Sequence, residues 1–295
     1  MSHPKYPRCK EQRMNIQDSK SLVVIITGGT RGIGRGLAKC FLERGASVVI
    51  SGRIGEVVRR AVEELKAEVA GPGSALKSAE AVPVAGTECD VREFAQVQAL
   101  WDYAISSFGR VDIWINNAGI GQPQSDIDEL KPDLIRDIFG TNCTGALYGC
   151  KVAMTGMRAQ GDGAIYNLEG LGSNGSIVRG MAAYGASKRA LAYITDSMAK
   201  EAEGSGVIVG ALRPGMVVTD LIIGEYAGKP EEWKKVRRIF NILSDRVETV
   251  APWLVDQMLQ NRRNGRRIVW LTGLKTMGRF LSAPFVKRSV YPEME

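Results

Sequence analysis

The chain alternates between short apolar runs and longer segments in which apolar positions recur every three or four residues. Buried strands followed by amphipathic helices produce this alternation. It predicts strands at residues 22–27, 47–51, 82–89, 111–115, 164–168, 207–212 and 267–271. It predicts helices at residues 32–44, 57–69, 93–108, 131–157, 182–203 and 249–260.

This pattern is typical of a parallel sheet built from strand–helix–strand units. The crossovers are right-handed, which places helices on both faces of the sheet. No internal repeat or linker divides the sequence. We therefore expect an α/β fold, a doubly wound (Rossmann-type) parallel sheet of about seven strands, in a single domain at residues 20–272. Residues 1–19 are expected to be disordered, residues 71–81 to form an exposed loop, and residues 273–295 to form a basic, apolar C-terminal extension.

The composition supports a globular protein with an uneven charge distribution. Hydrophobic residues make up 44% of the chain and charged residues 24%, and its apolar runs are far too short to span a bilayer. Residues 262–295 hold eight basic and two acidic residues, or +6 of the formal net charge of +7. Such a basic end binds nucleic acid, an anionic membrane or a protein partner, or is simply solvated. No motif favours nucleic acid, and we expect no such partner.

The residue types restrict the catalytic chemistry. The only histidine is His3, and the five cysteines show no metal-binding spacing. A Ser-His-Asp hydrolase and a zinc site with histidine ligands are thereby strongly disfavoured, and no metal is expected. Scattered free thiols suit a reducing compartment, and residues 1–19 lack the apolar core of a secretory signal. Any general acid or base must be Tyr, Lys, Cys, Asp or Glu.

A glycine-rich turn lies between the first predicted strand and the first predicted helix. Gly28 permits a sharp turn, Gly32 leaves room for a pyrophosphate, and Gly34 allows close packing of helix on strand. The N-terminus of the helix then offers free N–H groups to the phosphates. The turn therefore predicts a dinucleotide site, and its sequence is Thr27-Gly28-Gly29-Thr30-Arg31-Gly32-Ile33-Gly34.

The end of the second predicted strand indicates which dinucleotide binds. NAD sites carry an acidic residue there for the ribose hydroxyls, whereas this chain has Arg53. Arg31 lies in the glycine turn itself. Two guanidinium groups can pair with a 2′-phosphate, so we expect NADPH as the cofactor.

Tyr184 and Lys188 are the candidate proton-transfer pair. Their i, i+4 spacing places them on one face of a predicted helix. Because the ordinary pKa of tyrosine is about 10, lowering it to near 7 needs roughly 4 kcal/mol. A nearby ammonium lowers that pKa, and we expect Lys188 and the positive nicotinamide of the oxidised cofactor to supply this stabilisation.

With these motifs in this order, residues 20–272 resemble the short-chain dehydrogenase/reductase family. The resemblance implies that Tyr184 donates the proton, that Lys188 binds the nicotinamide ribose and tunes Tyr184, and that Asn142 orients a relay water. It also implies the cofactor contacts: Thr27, Gly28, Thr30, Arg31, Gly32, Ile33 and Gly34 in the turn, Arg53 after the second strand, Asp90 and Val91 at the adenine, Asn117, Ala118 and Gly119 after the fourth strand, Tyr184 and Lys188 themselves, and Pro214, Gly215, Val217 and Thr219 beside the nicotinamide.

One departure from the family pattern falls next to the candidate catalytic pair. The family has a pair of serines about thirteen residues before the tyrosine, where this chain has Gly170 and Leu171. Ser173 is the candidate that polarises the carbonyl, with Ser176 as a weaker choice, and Glu169 is expected close to the reacting region.

The residues around this departure resemble those of the chlorophyll b reductases within the family. The similar stretches are residues 167–175, 183–189, 214–221 and 270–275. The resemblance implies NADPH-dependent reduction of the 7-formyl group of chlorophyll b to 7-hydroxymethyl chlorophyll a, the first step of chlorophyll b degradation. It implies a chloroplast enzyme, and the alternating basic and apolar tail suits peripheral binding to the stromal side of the thylakoid membrane.

The substrate surface is expected in residues 216–243. Its apolar side chains are Leu221, Ile222, Ile223, Tyr226, Trp233, Ile239 and Phe240. They offer a surface for a large flat ring, or pack inward as core.

Two other functions fit the sequence less well. One is a general NADPH-dependent carbonyl reductase of 3-oxoacyl, steroid or quinone-like substrates. The other is a non-catalytic NADPH-binding scaffold, which would not need Asn142, Tyr184 and Lys188 together. A small-molecule substrate and a homo-oligomer are expected in either enzyme.

Overall fold

The structure, a computed structural model, describes residues 22–70, 78–219, 230–286 and 288–291. Its centre is a sheet of seven strands in which each described pair of neighbours is parallel. The strands are β1 (Val23–Ile26), β2 (Ser47–Gly52), β3 (Val84–Glu88), β4 (Ile113–Asn116), β5 (Gly163–Leu168), β6 (Val207–Arg213) and β7 (Arg267–Val269). The expected disorder of residues 1–19 lies outside the described residues, as does most of the loop expected at 71–81.

The strand order is β3-β2-β1-β4-β5-β6-β7. Strands β1, β2 and β3 therefore follow one another toward one edge of the sheet. Strands β4 to β7 follow one another toward the opposite edge. In such a sheet a crevice opens at the carboxyl ends of the strands where the order reverses, and ligands bind there. The predicted doubly wound fold is confirmed, and it places the candidate site above β1 and β4.

Helices connect the strands and cover both faces of the sheet. They are α1 (Gly32–Glu43), α2 (Gly55–Val69), α3 (Phe94–Phe108), α4 (Pro132–Phe139), α5 (Ala146–Gln160), α6 (Ala182–Glu201), α7 (Pro230–Leu243), α8 (Val247–Leu259) and α9 (Gly273–Ser282). One turn of π-helix, Gly140–Gly145, joins α4 to α5. The helix predicted at 131–157 is therefore made of two α-helices joined by one wider, π-helical turn.

The alternation of side chains along the strands divides the core into two layers. Val24 and Ile26 face one layer, with Leu37 and Phe41 of α1. Ile25 faces the other layer, which includes residues of α3 and α5. Because successive strand residues point to opposite faces, an apolar run such as Val23–Ile26 is buried on both sides.

The C-terminal segment does not lie as the sequence suggested. Its basic residues were expected to face an anionic surface, but Arg279 and Arg288 turn inward and bind Asp245. Lys275 lies over the ring of Trp270, 3.1 Å from its centroid. Of the expected basic residues, Lys287 lies outside the described residues.

The apolar residues expected at 216–243 divide between the two alternatives that the sequence left open, core packing and an exposed surface. Trp233 is 2% exposed and packs edge-on against Tyr291 and Phe240, so it serves as core. Ile239 is exposed. Leu221, Ile222, Ile223 and Tyr226 lie outside the described residues. Among the described helices, none combines the length and the apolar character needed to cross a bilayer.

Candidate active site

The glycine turn is fixed by hydrogen bonds from the loop after β4. The Thr27 hydroxyl oxygen accepts from the N–H groups of Asn117 and Ala118, both at 3.1 Å. The Asn117 side chain donates to the carbonyls of Thr27 and Gly28 at 2.8 and 2.9 Å. Gly28 has φ +64°, and a Cβ there would lie 2.9 Å from the Cα of Ala118. The strand ends thus hold the turn in one conformation.

The N-terminus of α1 opens onto this turn without a cap of its own. Its N-cap residue Arg31 makes no side-chain cap hydrogen bond, and the first turn holds no acidic residue. Ile33 packs against the core, and a Cβ on Gly34 would lie 2.4 Å from Asn117 Nδ2. Free N–H groups at an uncapped helix N-terminus bind anions, which suits a pyrophosphate.

Arg31 and Arg53 are both exposed at the side of the turn expected to hold the adenosine ribose. Thr30 is packed beside them, with its methyl group 3.0 Å from the position of a Cβ on Gly52. No ion pair of Arg31 or Arg53 with a described residue competes for either guanidinium group. Both side chains are therefore available to a 2′-phosphate.

Asp90 and Val91 lie beyond the end of β3, as the resemblance implied. Val91 is buried against Gly145. Arg92 binds the Asp90 carboxylate through Nε and Nη2, at 3.0 and 2.6 Å, and lowers the pKa of Asp90. The sequence reasoning missed this arginine, which keeps Asp90 charged and oriented.

Tyr184 and Lys188 lie on the same face of α6 under the carboxyl end of β5. Lys188 is 5% exposed, and its Nζ donates to the carbonyl of Leu168 at 3.0 Å. That Nζ lies 5.9 Å from the centroid of the Tyr184 ring. The predicted proximity of the phenol and the ammonium is therefore present.

The protein groups alone do not lower the pKa of Tyr184. The predicted lowering also depends on the positive nicotinamide of the oxidised cofactor, and it stays a prediction. Burial raises the pKa of Tyr184 to about 12, and burial lowers the pKa of Lys188 to about 8. Both shifts have the same cause, since a low-dielectric site disfavours the charged form of either group. In this site Tyr184 is held as a neutral phenol, the form that donates a proton.

Asn142 lies in the π-helical turn and is 1% exposed. Its side chain bridges two elements: Oδ1 accepts from the N–H of Ile120 at 2.8 Å, and Nδ2 donates to the Ile120 carbonyl and to the Ser187 hydroxyl, both at 3.0 Å. Ser187 in turn donates to the Tyr184 carbonyl at 2.7 Å. Asn142 thus connects the loop after β4 to the helix that carries Tyr184.

Gly119 lies beside two of these groups. A Cβ there would lie 3.3 Å from Asn142 Oδ1 and 3.6 Å from Lys188 Nζ. A side chain at residue 119 would therefore contact both the amide oxygen and the ammonium.

The loop after β6 closes the site on the nicotinamide side. Pro214 and Val217 are buried, and Gly215 has φ +73°. The Thr219 methyl group lies 3.4 Å from the position of a Cβ on Gly32. The loop therefore reaches from the end of β6 to the glycine turn.

The remodelled loop after β5 leaves the space next to the tyrosine hydroxyl without a side chain. A Cβ on Gly170 would lie 2.5 Å from the Tyr184 hydroxyl. Ser173 is 2% exposed, and its hydroxyl makes no hydrogen bond to another described residue. Ser176 is exposed, and its hydroxyl binds Asn174 Oδ1 at 2.7 Å. Of the two candidates, Ser173 is the one with a free hydroxyl.

Glu169 is fully buried and binds arginines of the two outer strands, Arg213 of β6 and Arg267 of β7. Arg267 also binds Asp196 of α6 at 2.7 Å. Burial lowers the pKa of Lys188, and the negative charge of Glu169 opposes that shift. The carboxylate therefore ties the start of the loop to the sheet edge and lies near enough to Lys188 to act on its charge.

A model of the short chain dehydrogenase family matches residues 22–228. The chain belongs to the short-chain dehydrogenase family. It is therefore an oxidoreductase that uses a nicotinamide dinucleotide, and the predicted family and class of enzyme are confirmed.

Among curated relatives, the chain is similar to the chloroplastic chlorophyll(ide) b reductase NOL of Oryza sativa subsp. japonica. The two are 37% identical over 268 residues, which covers 88% of this chain and 74% of that protein. The corresponding NOL protein of Arabidopsis thaliana is 35% identical, with 88% and 72% covered. A probable chlorophyll(ide) b reductase NYC1 of the same rice is 35% identical over 84% of this chain, and the chain spans about half (49%) of its length.

Solved structures share the fold of this short-chain dehydrogenase. Levodione reductase superposes with a TM-score of 0.75 and 25% identity, over 87% of this chain and 98% of that one. A 3-ketoacyl-(acyl-carrier-protein) reductase from Brucella melitensis, complexed with NADH, gives a TM-score of 0.70 at 23% identity, over 85% and 97%.

The residues of the turn fit the dinucleotide of the family. The uncapped N-terminus of α1 suits the pyrophosphate, and Gly28 and Gly32 adopt left-handed φ values that leave their outer side without a Cβ. Arg31 and Arg53 would hold the adenosine ribose end. Lys188 and the loop of Gly215, Val217 and Thr219 would hold the nicotinamide end.

Sequence reasoning missed one further residue that shapes the site. Gln122 is 3% exposed, and its amide accepts from the N–H of Tyr184 at 2.9 Å and donates to the Gly180 carbonyl at 2.6 Å. It caps the first turn of α6 from a distant loop. Neither spacing nor residue type signals this contact, since the partners are 62 residues apart.

Proposed function

We propose that this short-chain dehydrogenase uses NADPH to reduce the 7-formyl group of chlorophyll b to the 7-hydroxymethyl group. The observation that carries the proposal is the similarity to chlorophyll(ide) b reductases over 84–88% of the chain, at 34–37% identity, in four curated relatives. A 3alpha-hydroxysteroid dehydrogenase of Mediterraneibacter gnavus is 34% identical, but the match covers 69% of the chain. The longer matches therefore favour the pigment substrate.

The residues around Tyr184 suit the reduction of an aldehyde. NADPH, when bound, would supply the hydride for the carbonyl carbon. Tyr184, kept neutral by burial, donates its proton to the carbonyl oxygen, so the formyl group becomes a primary alcohol. Ser173 offers its free hydroxyl to polarise that oxygen, and Lys188 returns a proton toward Tyr184 by way of water held near Asn142.

Two exposed arginines support NADPH over NADH. Arg31 and Arg53 flank the turn without an ion pair to a described carboxylate, and Arg53 stands in place of the acidic residue that an NAD site carries. A 2′-phosphate dianion gains charge-assisted bonds from both guanidinium groups.

A groove beside the loop after β5 supports a large, flat substrate. It runs from this loop along the first turns of α6, and its lining is mostly apolar, including Leu171, Ile177 and Val178. Gly185 and Ala186, which follow Tyr184 in α6, line it as well, so a macrocycle bound there would lie next to the helix turn that carries the tyrosine.

A peripheral position at the stromal side of the thylakoid membrane forms part of the proposal. The chlorophyll(ide) b reductase relatives of rice and Arabidopsis thaliana are named as chloroplastic. Leu274, Met277 and Leu281 recur along one face of α9 and are more than half exposed, and Phe285 follows them at 88% exposed. An amphipathic helix with such a face lies in a membrane interface. Homo-oligomer formation stays a prediction.

The proposal is tested by incubating the protein with NADPH and chlorophyll b and separating the pigments by chromatography. We expect 7-hydroxymethyl chlorophyll a to accumulate with NADPH consumption. Reduction of 3-oxoacyl or steroid ketones without any hydroxymethyl pigment would overturn the assignment and leave a general carbonyl reductase. Binding to vesicles with anionic lipid, compared with neutral vesicles, tests the membrane position separately.

A further inference from the structure

Asp245 is an almost buried carboxylate that no catalytic role explains. It is 6% exposed and lies between α7 and α8, beyond the carboxyl end of β6. Three side-chain donors converge on it: Trp270 Nε1 at 2.6 Å, Arg279 at 2.6 Å and Arg288 at 2.8 Å. Two of these donors belong to the C-terminal segment 273–291.

The main chain of Asp245 is paired with the loop after β6, residues 214–219, which we call the cofactor loop. Its N–H donates to the Met216 carbonyl at 3.0 Å, and its carbonyl accepts from the N–H of Val218 at 3.0 Å. These bonds form a parallel bridge opposite Val217. The bridge lies directly before Thr219, whose methyl group approaches Gly32 of the glycine turn.

The same two arginines also close the end of α7. Arg279 donates to the Leu243 carbonyl at 2.7 Å, and Arg288 donates to the carbonyls of Ile242 and Ser244 at 2.7 and 2.8 Å. The last carbonyls of a helix lack intrahelical partners and carry partial negative charge, so cations stabilise them. The negative charge of Asp245 balances the positive charges of Arg279 and Arg288.

Tyr291 completes the contact between the tail and α7. Its hydroxyl shares a hydrogen bond of 3.0 Å with Ser244, and its N–H donates to Asn241 at 3.1 Å. Its ring packs edge-on against Trp233. The C-terminal segment is thus joined to α7 and to the loop after β6 by buried polar and aromatic contacts.

We infer that the C-terminal segment is a positioning element for the cofactor loop, and that Asp245, clamped by Arg279 and Arg288, is the residue through which it acts. The clamp holds Val217 and Val218, and through them Thr219, at the distance from the glycine turn that the dinucleotide requires. Asp245 touches none of the reacting atoms and is therefore a positioning residue. The inference rests on the proposed placement of the nicotinamide beside this loop, but not on the identity of the substrate.

The test compares Asp245→Asn and Arg288→Gln with Asp112→Asn. Asp112 is a matched control because it is 4% exposed, binds Arg110 and the N–H of Val23, and lies at the amino end of β4, away from the site. NADPH affinity is measured from cofactor fluorescence. The exchange rate of the Val218 amide is measured by hydrogen–deuterium exchange. Thermal unfolding of each variant is followed in parallel.

We expect Asp245→Asn to weaken NADPH binding roughly tenfold and to accelerate exchange at Val218, because small displacements of positioning groups have large effects. Arg288→Gln removes one of three donors, so it gives a smaller change in the same direction in a folded protein. Asp112→Asn lowers the unfolding temperature but leaves NADPH affinity unchanged.

Unchanged NADPH affinity and unchanged Val218 exchange in Asp245→Asn and Arg288→Gln would overturn the inference. The assay needs no carbonyl substrate. A wild-type protein that binds NADPH without reducing chlorophyll b would therefore contradict the proposed function and leave the clamp to be judged on its own result.

Discussion

The Tyr184 hydroxyl lies directly against Gly170, so close that a Cβ on this glycine would stand 2.5 Å from the phenolic oxygen. Real Cβ atoms do not approach an oxygen so closely, and a side chain here would have to displace the tyrosine. At this position, where the family carries a serine, only a residue without a side chain fits beside the tyrosine in its present place.

Replacing Gly170 by alanine should therefore reduce catalysis more than folding. We expect Gly170→Ala to lower kcat at least tenfold, because a shift of the phenol by a fraction of an ångström misaligns proton transfer. Gly278→Ala is the control, since a Cβ there meets nothing within 4 Å and alanine stabilises a helix interior. Steady-state kinetics of both variants provide the comparison, and equal kcat values would show that Tyr184 has room to move.

The pH dependence of reduction should follow Lys188 and not Tyr184. Burial lowers the pKa of Lys188 to about 8, so the ammonium is present below that pH and is lost as the pH rises through it. The pKa of Tyr184 is raised to about 12, which keeps the proton donor intact over the same range. We expect kcat/KM for reduction to fall above about pH 8.

A Lys188→Arg variant provides the check on that assignment. Its guanidinium stays charged at every accessible pH, so the fall near pH 8 should disappear even though the rate itself is lower. If the variant kept the same fall, the titrating group would be another residue.

Exchanging Arg53 for an acidic residue should alter the cofactor preference. We expect Arg53→Asp to raise the KM for NADPH roughly tenfold, because a carboxylate repels the 2′-phosphate that two arginines attract. The KM for NADH should fall in the same variant. Arg60→Ala is the control, an exposed arginine of α2 near Glu64. The Michaelis constants of each variant are measured for both cofactors. An unchanged ratio of the KM for NADPH to the KM for NADH in Arg53→Asp would exclude Arg53 from the cofactor site.

Loss of the Glu169 charge should destabilise the fold. The carboxylate is fully buried while Arg213 and Arg267 are about one-quarter exposed, at 25% and 28%. Breaking a fully buried pair costs about 3–5 kcal/mol, and with partly solvated arginines we expect Glu169→Gln to cost about 2 kcal/mol. Glu64→Gln, at an exposed pair with Arg35, should cost less than about 1 kcal/mol. Urea unfolding measures the free energy of unfolding of both variants. Equal losses of stability would show that the buried Glu169 pair does not hold the fold together.

The sequence predicted the sheet well because its signal is local. Short continuous apolar runs mark strands buried on both faces, and apolar positions with a period of 3.6 mark helices packed on one face. Each of the seven predicted strands is present. The strand predicted from residue 82 begins at Val84, since Pro83 has no N–H to donate to a ladder. The strand predicted to residue 271 ends at Val269, where the Trp270 side chain turns to Asp245.

The parts that the sequence did not predict depend on distant partners. Arg279 and Arg288 looked like a surface charge pattern, yet their partner Asp245 lies 34 and 43 residues away. The pKa of Tyr184 was expected to fall beside Lys188 and the oxidised nicotinamide, whereas burial, which no spacing reveals, raises it within the protein alone. Motif spacing thus identified which residues meet at the candidate site, while their electrostatic surroundings came from the fold.

The most direct measurement follows the hydride itself. The protein is incubated with chlorophyll b and NADPH that carries deuterium at the transferable C4 position of the nicotinamide, and the pigment is examined by mass spectrometry. We predict 7-hydroxymethyl chlorophyll a with one deuterium at the former formyl carbon, formed by the wild type and slowed at least a hundredfold in Tyr184→Phe. Unlabelled chlorophyll b recovered intact while a ketone substrate takes up the deuterium would contradict the account.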